Sequence, residues 1–371
     1  MTLLSESKNL TRYQTRVIII VQSLTVKKFL ILSMALAACT STTTTIPPVS
    51  AAPTTVTTST SSTTTLPPTT ATTIDSRPIS PLDGLPVDDE TLVDRRVIGV
   101  KIDNHWDARP QSGINKADAV FEIPVEANLT RFIAVFHDSD ADYLGPMRSG
   151  RPTDPTVLAP LDATFIISGA QPWVQNVFRN YGVPFIGEVR PATFRISQRH
   201  APHNLYVDTE LLRETADARD ISNAPPEPMF VFGENTSDDV ATEISFDWSS
   251  DTKITWNWTD GAYERSTGGS TQNWIDADWE TMGPITAQTL VVIFARRYTA
   301  SGSSGSSVPA MDTVGEGRTV VFANGTVFEG TWSREDVDEP FDLVDETGDA
   351  LVVPPGKPWI SIFPDTRTLS W

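Results

Sequence analysis

The stretch of this chain best equipped for chemistry is Gly145-Pro146-Met147-Arg148-Ser149-Gly150-Arg151, which sets two arginines three residues apart in a compact loop between apolar runs. A guanidinium is planar, permanently charged and shaped to hold a carboxylate or phosphate through two parallel hydrogen bonds, so arginines fixed by Gly and Pro make a candidate anion clamp. Two other segments share this character: Ile102 to Gly113, which carries Asp103, Asn104 and Arg109, and Arg199 to Tyr206, which carries Arg199, His203 and Asn204. Each follows a strand-like run and is punctuated by Pro. We read the three, with Arg131, as one surface site composed of Asp103, Asn104, Arg109, Arg131, Arg148, Ser149, Arg151, Arg199, His203 and Asn204.

The residue types leave several chemistries open. A buried guanidinium must be paired, and Asp103, Asp118, Glu122 and Glu126 are natural partners, so the arginines could form an internal salt-bridge lattice. Arginines left free would suit the carboxylates of peptide stems or muramic acid, or the phosphate of teichoic acid. Asp103, Glu122 and Glu126 are the carboxylates available for glycoside chemistry, with Glu122 and Glu126 expected on one face of an extended strand. Carboxylates beside arginines have depressed pKa values, however, and make poor general acids. Ser149 with His203 as its base lacks the strand-to-helix elbow of a hydrolase nucleophile. His200 and His203, on either side of Ala201-Pro202, form no recognised ligand spacing; His203 is expected to anchor its loop, and neither metal nor other cofactor is expected. The acidic run from Asp336 to Asp349 lacks the glycine and closing spacing of a calcium loop.

The elements that must position these loops come next. Val97 to Ile102 and Ala119 to Val125 read as strands, the second interrupted by Pro124, which predicts an edge or a bulge. Arg131 to Phe136 and Thr164 to Ile167 are apolar on both alternating faces, as buried central strands are. Trp173, Val174, Val177 and Phe178 recur at helical spacing after Pro172, and a second helix is predicted from a cap at Asp208 or Thr209. Polar loops that follow buried strands lie at the sheet edge where open α/β sheets bind ligands, and the helix after Gly169 offers an N-terminus suited to an anion. Beyond the linker-like Asn223 to Pro228 the signals become β: Asp260-Gly261 and Asn324-Gly325 are hairpin turns, and Leu290 to Ala295 and Trp359 to Phe363 are further strands. Trp256, Trp258, Trp274, Trp279 and Trp332 are expected in the core, as alternating Trp of hairpins usually are, the lesser alternative being that one or two are exposed for glycan contact. The fold class predicted is an α/β (or α+β) N-terminal domain with a mixed sheet, followed by a mainly antiparallel β C-terminal domain.

Taken together, Ile102-Asp103-Asn104, Arg109 to Gly113, Ala117-Asp118, Glu122, Val125-Glu126, Thr130 to Phe132, Gly145 to Arg151, Ala201 to Tyr206 and the closing Gly356 to Trp359 resemble the signature of YerB-type bacterial lipoproteins, the family of domain of unknown function 3048. The resemblance runs from about Pro81 to the C-terminus. It implies a two-domain extracytoplasmic lipoprotein linked to the cell wall, and it supplies no catalytic residues.

Composition agrees with that setting. The formal net charge is −19, and with the first 38 residues set aside 23 basic residues face 46 acidic ones, a field that repels nucleic acid. The single cysteine, Cys39, excludes an internal disulfide and a cysteine metal cluster. Lys27-Lys28, the apolar Phe29 to Leu32 and the small residues before Cys39 form a signal peptide, and Leu36-Ala37-Ala38-Cys39 resembles a bacterial lipobox, which implies lipidation of Cys39. The start is expected to be over-extended, with the initiator near Leu24 or Val26. The following Thr, Ser and Pro tract is expected to be a disordered stalk, ~35 Å across as a random coil. The expected organisation is therefore a signal peptide over 1–38, the lipidated cysteine and stalk over 39–80, an α/β domain over 81–222, a linker over 223–228 and a β-rich domain over 229–371. Such a protein is expected on the outer face of the cytoplasmic membrane, anchored there by lipid only. Its expected partner is peptidoglycan, an anionic wall polymer or an envelope protein, engaged without catalysis; the alternatives are a cell-wall glycan hydrolase or transglycosylase using the paired carboxylates, and a protein-docking module using the β domain.

Overall fold

The computed structural model describes residues 75–250, 252–303 and 306–371. The expected signal peptide, Cys39 and nearly all of the expected stalk therefore lie outside the described residues. No helix among the described residues is long and apolar enough to cross a membrane.

The first segment contributes strands β1 (Ile98–Ile102), β2 (Ala119–Pro124), β3 (Thr130–Phe136), β4 (Thr164–Ile166), β5 (Phe185–Ile186), β6 (Thr193–Arg195) and β7 (Leu205–Val207). It also holds helices α1 (Asp154–Leu158), α2 (Pro172–Asn180) and α3 (Thr209–Asp217). Next come β8 (Glu243–Asp247), β9 (Lys253–Thr259), β10 (Ala262–Thr267), β11 (Ser270–Thr271), β12 (Asn273–Ile275), β13 (Met282–Pro284) and β14 (Thr286–Ala287). The chain closes with β15 (Thr289–Ala295), β16 (Arg297–Ser301), β17 (Ser307–Met311), β18 (Gly315–Ala323), β19 (Thr326–Arg334), β20 (Asp342–Val344), β21 (Pro358–Pro364) and β22 (Leu369–Ser370).

Ten of these strands form one mixed sheet in the order β20-β19-β18-β15-β21-β2-β3-β1-β4-β5. Strands β1, β4 and β5 run parallel to one another, as do β2, β21 and β15, while β3 is antiparallel between β2 and β1. The second segment also builds the antiparallel sheet β11-β10-β9-β8-β22, with β14 on β10. The fold class is thus a mixed sheet with a few helices, followed by mainly antiparallel β structure. The expected linker at 223–228 joins segments that share the large sheet, since β21 inserts between β2 and β15.

Burial explains why the central strands are apolar on both faces. Every residue of β1, β2, β15 and β21 is buried. On one face Val100, Ile102, Phe132 and Trp359 pack with Ile254, Trp256 and Tyr263 of the smaller sheet. On the other, Ile133, Phe165 and Ile360 pack with Leu158 of α1 and Val174 and Phe178 of α2.

Local chemistry accounts for most boundaries. The Asp260-Gly261 and Asn324-Gly325 pairs both adopt positive φ (52° and 85°, 54° and 74°), the geometry that matches the twist of a two-residue hairpin. Asp208 caps α3 by accepting from Leu211 N at 3.1 Å. Pro124 corrects the sequence reading, because β2 is central rather than an edge. Its pairing with β21 covers only Val120 to Glu122, so the missing Pro124 N–H leaves that ladder intact. Helix α1 had no sequence signal, being only five residues long and too short for a periodicity to register.

Candidate functional site

The Gly145 to Arg151 loop is stitched into the carboxyl end of the large sheet. Strands β1 and β4 pair through Val100 and Ile166, after which the loop continues the hydrogen bonding of both. Arg148 N donates to Lys101 O (2.8 Å), Ser168 N donates to Arg148 O (3.0 Å) and Gly150 N donates to Gly169 O (2.9 Å). Asp103 N donates to Pro146 O (2.9 Å), and Met147 N donates to Leu205 O (2.7 Å) at the start of β7. The three polar segments are therefore joined through backbone beside the carboxyl ends of β1 and β4, the sheet edge where open α/β sheets bind ligands.

Asp103 is the centre of the side-chain arrangement. Its carboxylate is 3% exposed, and Oδ2 accepts from Arg148 Nε at 2.7 Å and lies 2.8 Å from His203 Nδ1. Oδ1 accepts from His105 N at 3.1 Å. Burial by itself would raise this carboxyl, but Arg148, the His105 N–H, Arg131 and His203 outweigh it and hold it below the ordinary carboxylate range. The His203 ring is stacked on that of His105, centroids 5.0 Å apart, and His105 in turn lies 3.7 Å from the ring of Trp106, which is 66% exposed.

The arginines divide by what they do. Arg151 is a brace: Nε donates to Glu126 Oε2 (2.8 Å) and Nη1 to Gly150 O (2.9 Å). Arg199 is a clamp across two loops, donating to Asp107 O and Pro110 O, both at 2.6 Å, and its guanidinium faces the Trp279 ring. Arg109 folds back on Asn104, bonding its Oδ1 (3.0 Å) and its carbonyl (2.9 Å). Arg148 uses only Nε, and Arg131 only Nη1, which donates to Ser149 O at 2.9 Å. The remaining nitrogens of Arg148 and Arg131 have no acceptor among the described residues. The Arg148 side chain is 20% exposed and Arg131 is half-buried. Burial, then the nearby Arg151, lowers Arg131 to about 10, with Arg148 adding to the repulsion against Asp103 and Glu126. Beneath them Lys101 is fully buried against Asp154 at 2.6 Å and drawn down to about 8 by burial, with Arg131 and Arg151 contributing.

Other sequence candidates are placed elsewhere. Glu122 is corrected: it is sealed in the core, where its carboxylate accepts from Thr130 Oγ1 (2.6 Å), Arg265 Nη2 (2.6 Å) and Trp359 Nε1 (2.9 Å). Glu126 lies beyond the end of β2, paired with Arg151, so the two glutamates do not form a catalytic pair on one strand. Asn104 is a buried hub whose Oδ1 takes bonds from Arg109, Gln111 and Gln272. Asn204 serves its own hairpin, accepting from Arg195 Nη1 at 2.9 Å. Ser149 Oγ is 3.2 Å from Ser168 Oγ. Of the five tryptophans singled out, Trp256 and Trp332 are buried; Trp106, which the sequence reading passed over, is exposed beside His105. His105 and Asp107 were also missed; their one signal is position, in the same loop as Asp103.

Comparisons with known proteins bear on the whole arrangement. Residues 82–222 match the family described as "Protein of unknown function (DUF3048) N-terminal domain", and residues 242–360 match its C-terminal domain. The chain is 28% identical over 306 residues to YerB of Bacillus subtilis (strain 168), a protein that carries the name of a lipoprotein, with 78% of this chain and 88% of that protein covered. The crystal structure of Bacillus subtilis YerB is similar in fold, with a TM-score of 0.69 at 24% identity, covering 80% of this chain and all of the other.

Proposed function

We propose that this chain, which belongs to the DUF3048 family through both its N-terminal and its C-terminal domains, is an extracytoplasmic lipoprotein that binds an anionic envelope component without cleaving it. The observation that carries this reading is the set of guanidinium nitrogens on Arg131 and Arg148 that have no acceptor among the described residues. They lie at the carboxyl end of β1 and β4 in an otherwise acidic protein. Each can take a carboxylate or phosphate oxygen as a charge-assisted bond. The resemblance to a protein named as a lipoprotein supports anchoring through Cys39 on the outer face of the cytoplasmic membrane, with the stalk carrying the cleft toward the wall. Peptidoglycan stems and anionic wall polymers both present suitable groups.

Against a hydrolase built on paired carboxylates stand the sealed Glu122 and the depressed Glu126, whose carboxyl is raised by burial but lowered further by Arg151. A second reading, docking of an envelope protein on the β-rich segment, is supported by a groove of about 540 Å³ at the carboxyl ends of β15 and β21, lined in part by Phe294, Val314, Arg318 and Arg367.

The test is binding of the full-length chain to purified cell-wall sacculi, with the released material checked for new glycan ends. Arg148→Ala is expected to weaken binding by about tenfold or more, the size of a lost charge-assisted hydrogen bond at ~1.5–3 kcal/mol, with no cleavage by either protein. Equal binding by the variant would remove the cleft from the account, and new glycan ends would make the protein an enzyme.

A further inference from the structure

We propose that His105, Asp107 and His203 form a site for a divalent transition-metal ion of the zinc class. A donor atom of each lies within 4.8 Å of those of the other two. His105 Nδ1 and Asp107 Oδ2 are 3.5 Å apart. That is already near the ~3.3 Å that separates two ligands on one tetrahedral ion with bonds of ~2.0–2.1 Å. The third ligand comes from another loop, 98 positions away in sequence by number, and is held in place by its surroundings.

The support behind these donors is of the kind metal sites use. His203 gives Nδ1 to the buried Asp103 carboxylate at 2.8 Å, which leaves Nε2 as the atom free for an ion and fixes the plane of the ring. A carboxylate behind a ligating imidazole sets its tautomer and raises its basicity. Asp103 itself is held by Arg148 Nε and by the N–H of His105, so the same carboxylate ties both histidines together. Arg199 fixes the Asp107 backbone by donating to its carbonyl at 2.6 Å. The Asp107 N–H that now reaches His105 Nδ1 at 3.2 Å is a long bond, and an ion would replace it. The Asp107 side chain is 62% exposed and that of His105 22%, so both can turn to close the ligand set.

Two imidazoles and one carboxylate select zinc, cobalt(II) or nickel(II) over magnesium or calcium, which prefer all-oxygen sites. Three protein ligands leave a fourth position open to solvent. The site adjoins the arginine cleft but does not rest on the anion-binding reading.

The experiment is calorimetric titration of chelator-stripped, full-length protein with zinc chloride, together with the visible spectrum of its cobalt(II) form. One ion per chain is expected at micromolar concentrations, with the intense visible bands of a four-coordinate cobalt site. His203→Gln and His105→Gln are expected to abolish it, and Asp103→Asn to weaken it by about 10–100-fold. Asp107→Asn changes an exposed side chain without threatening the fold and is expected to weaken binding at least tenfold. Unchanged zinc affinity in Asp107→Asn, or a signal that persists in both histidine variants through Cys39 or any other group, overturns the proposal. So does the absence of stoichiometric binding by the wild-type chain. Sacculus binding by the same variants is scored separately, so loss of the ion with wall binding intact, or the reverse, tells which of the two readings has failed.

Discussion

At the scale of single residues, the carboxyl groups with shifted pKa values fall into two sets with opposite pH behaviour. Asp103 and Glu126 have lowered carboxyl pKa values, so they stabilise the fold above the ordinary carboxylate range and lose that contribution as pH falls through their folded values. Asp118 is the reverse case: burial first, then the neighbouring Asp138, pushes it up to about 7 against hydrogen bonds from Ser139 and the His137 N–H. Because its folded pKa exceeds its unfolded one, the fold binds the extra proton. The stabilisation is complete below about pH 4 and declines as pH rises through about 7, by at most ~1.4 kcal/mol per pH unit for one proton. Buried His137, lowered chiefly by desolvation, acts in the opposite sense, so the difference between two proteins is the informative quantity. In urea denaturation from pH 4 to 8, Asp118→Asn should show a smaller decline, or a larger rise, than the wild type across this window. Parallel curves would mean that Asp118 is ionised throughout.

At the scale of the element, the arginine loop is constrained by close contact as much as by hydrogen bonds. A Cβ on Gly145 would sit 2.8 Å from Tyr206 Cγ and 3.0 Å from Leu205 O, and neither the ring base nor the backbone of β7 can yield easily. Gly145 also exchanges two backbone hydrogen bonds with Ser112, at 2.9 and 3.1 Å. Gly145→Ala should therefore cost about 1–3 kcal/mol by overpacking. It should also weaken sacculus binding, because Arg148 lies three residues further along the same stitched segment. A stability loss with wall binding unchanged at full folding would show that the loop tolerates the shift without moving the guanidinium.

At the scale of the whole molecule, the two family segments share a sheet and a buried ion pair. Arg265 of β10 is fully buried, enclosed by the rings of Phe132, Trp256 and Trp359, and its one ionic partner among the described residues is Glu122 of β2 at 2.6 Å. Its Nε and Nη1 have no hydrogen-bond partner among the described residues, so removing the carboxylate leaves an uncompensated charge in the core. Glu122→Gln should lower stability by about 3–5 kcal/mol. Eight of the 10 tryptophans lie beyond residue 228, whereas α1, α2 and α3 all lie before it, so fluorescence and the far-UV helix signal report on different segments. With the strands of the two segments joined side by side in one sheet through the β21–β2 pairing, both probes should follow a single urea transition in wild type and variant, and the two should shift together. Separate transitions would show that the segments unfold as independent domains.

The sequence alone determined what is local. Hairpin turns at Asp260-Gly261 and Asn324-Gly325, the caps and periodicity of α2 and α3, the doubly apolar strands and the three polar loops were legible because a turn, a helix or a strand face depends on residues within a few positions of each other. The tertiary structure decided what depends on strand order and packing. It inserted β21 between β2 and β15, which made Pro124 the end of a central strand. It also turned Glu122 from a candidate acid into the partner of Arg265, 143 positions away. Among the described residues it left Arg131 and Arg148 with one bonded guanidinium nitrogen each, against two in Arg109 and Arg151 and three in Arg199. It brought His105 and Asp107 to His203, which no spacing along the chain could announce, because neighbours from distant loops are set by which strand ends lie side by side.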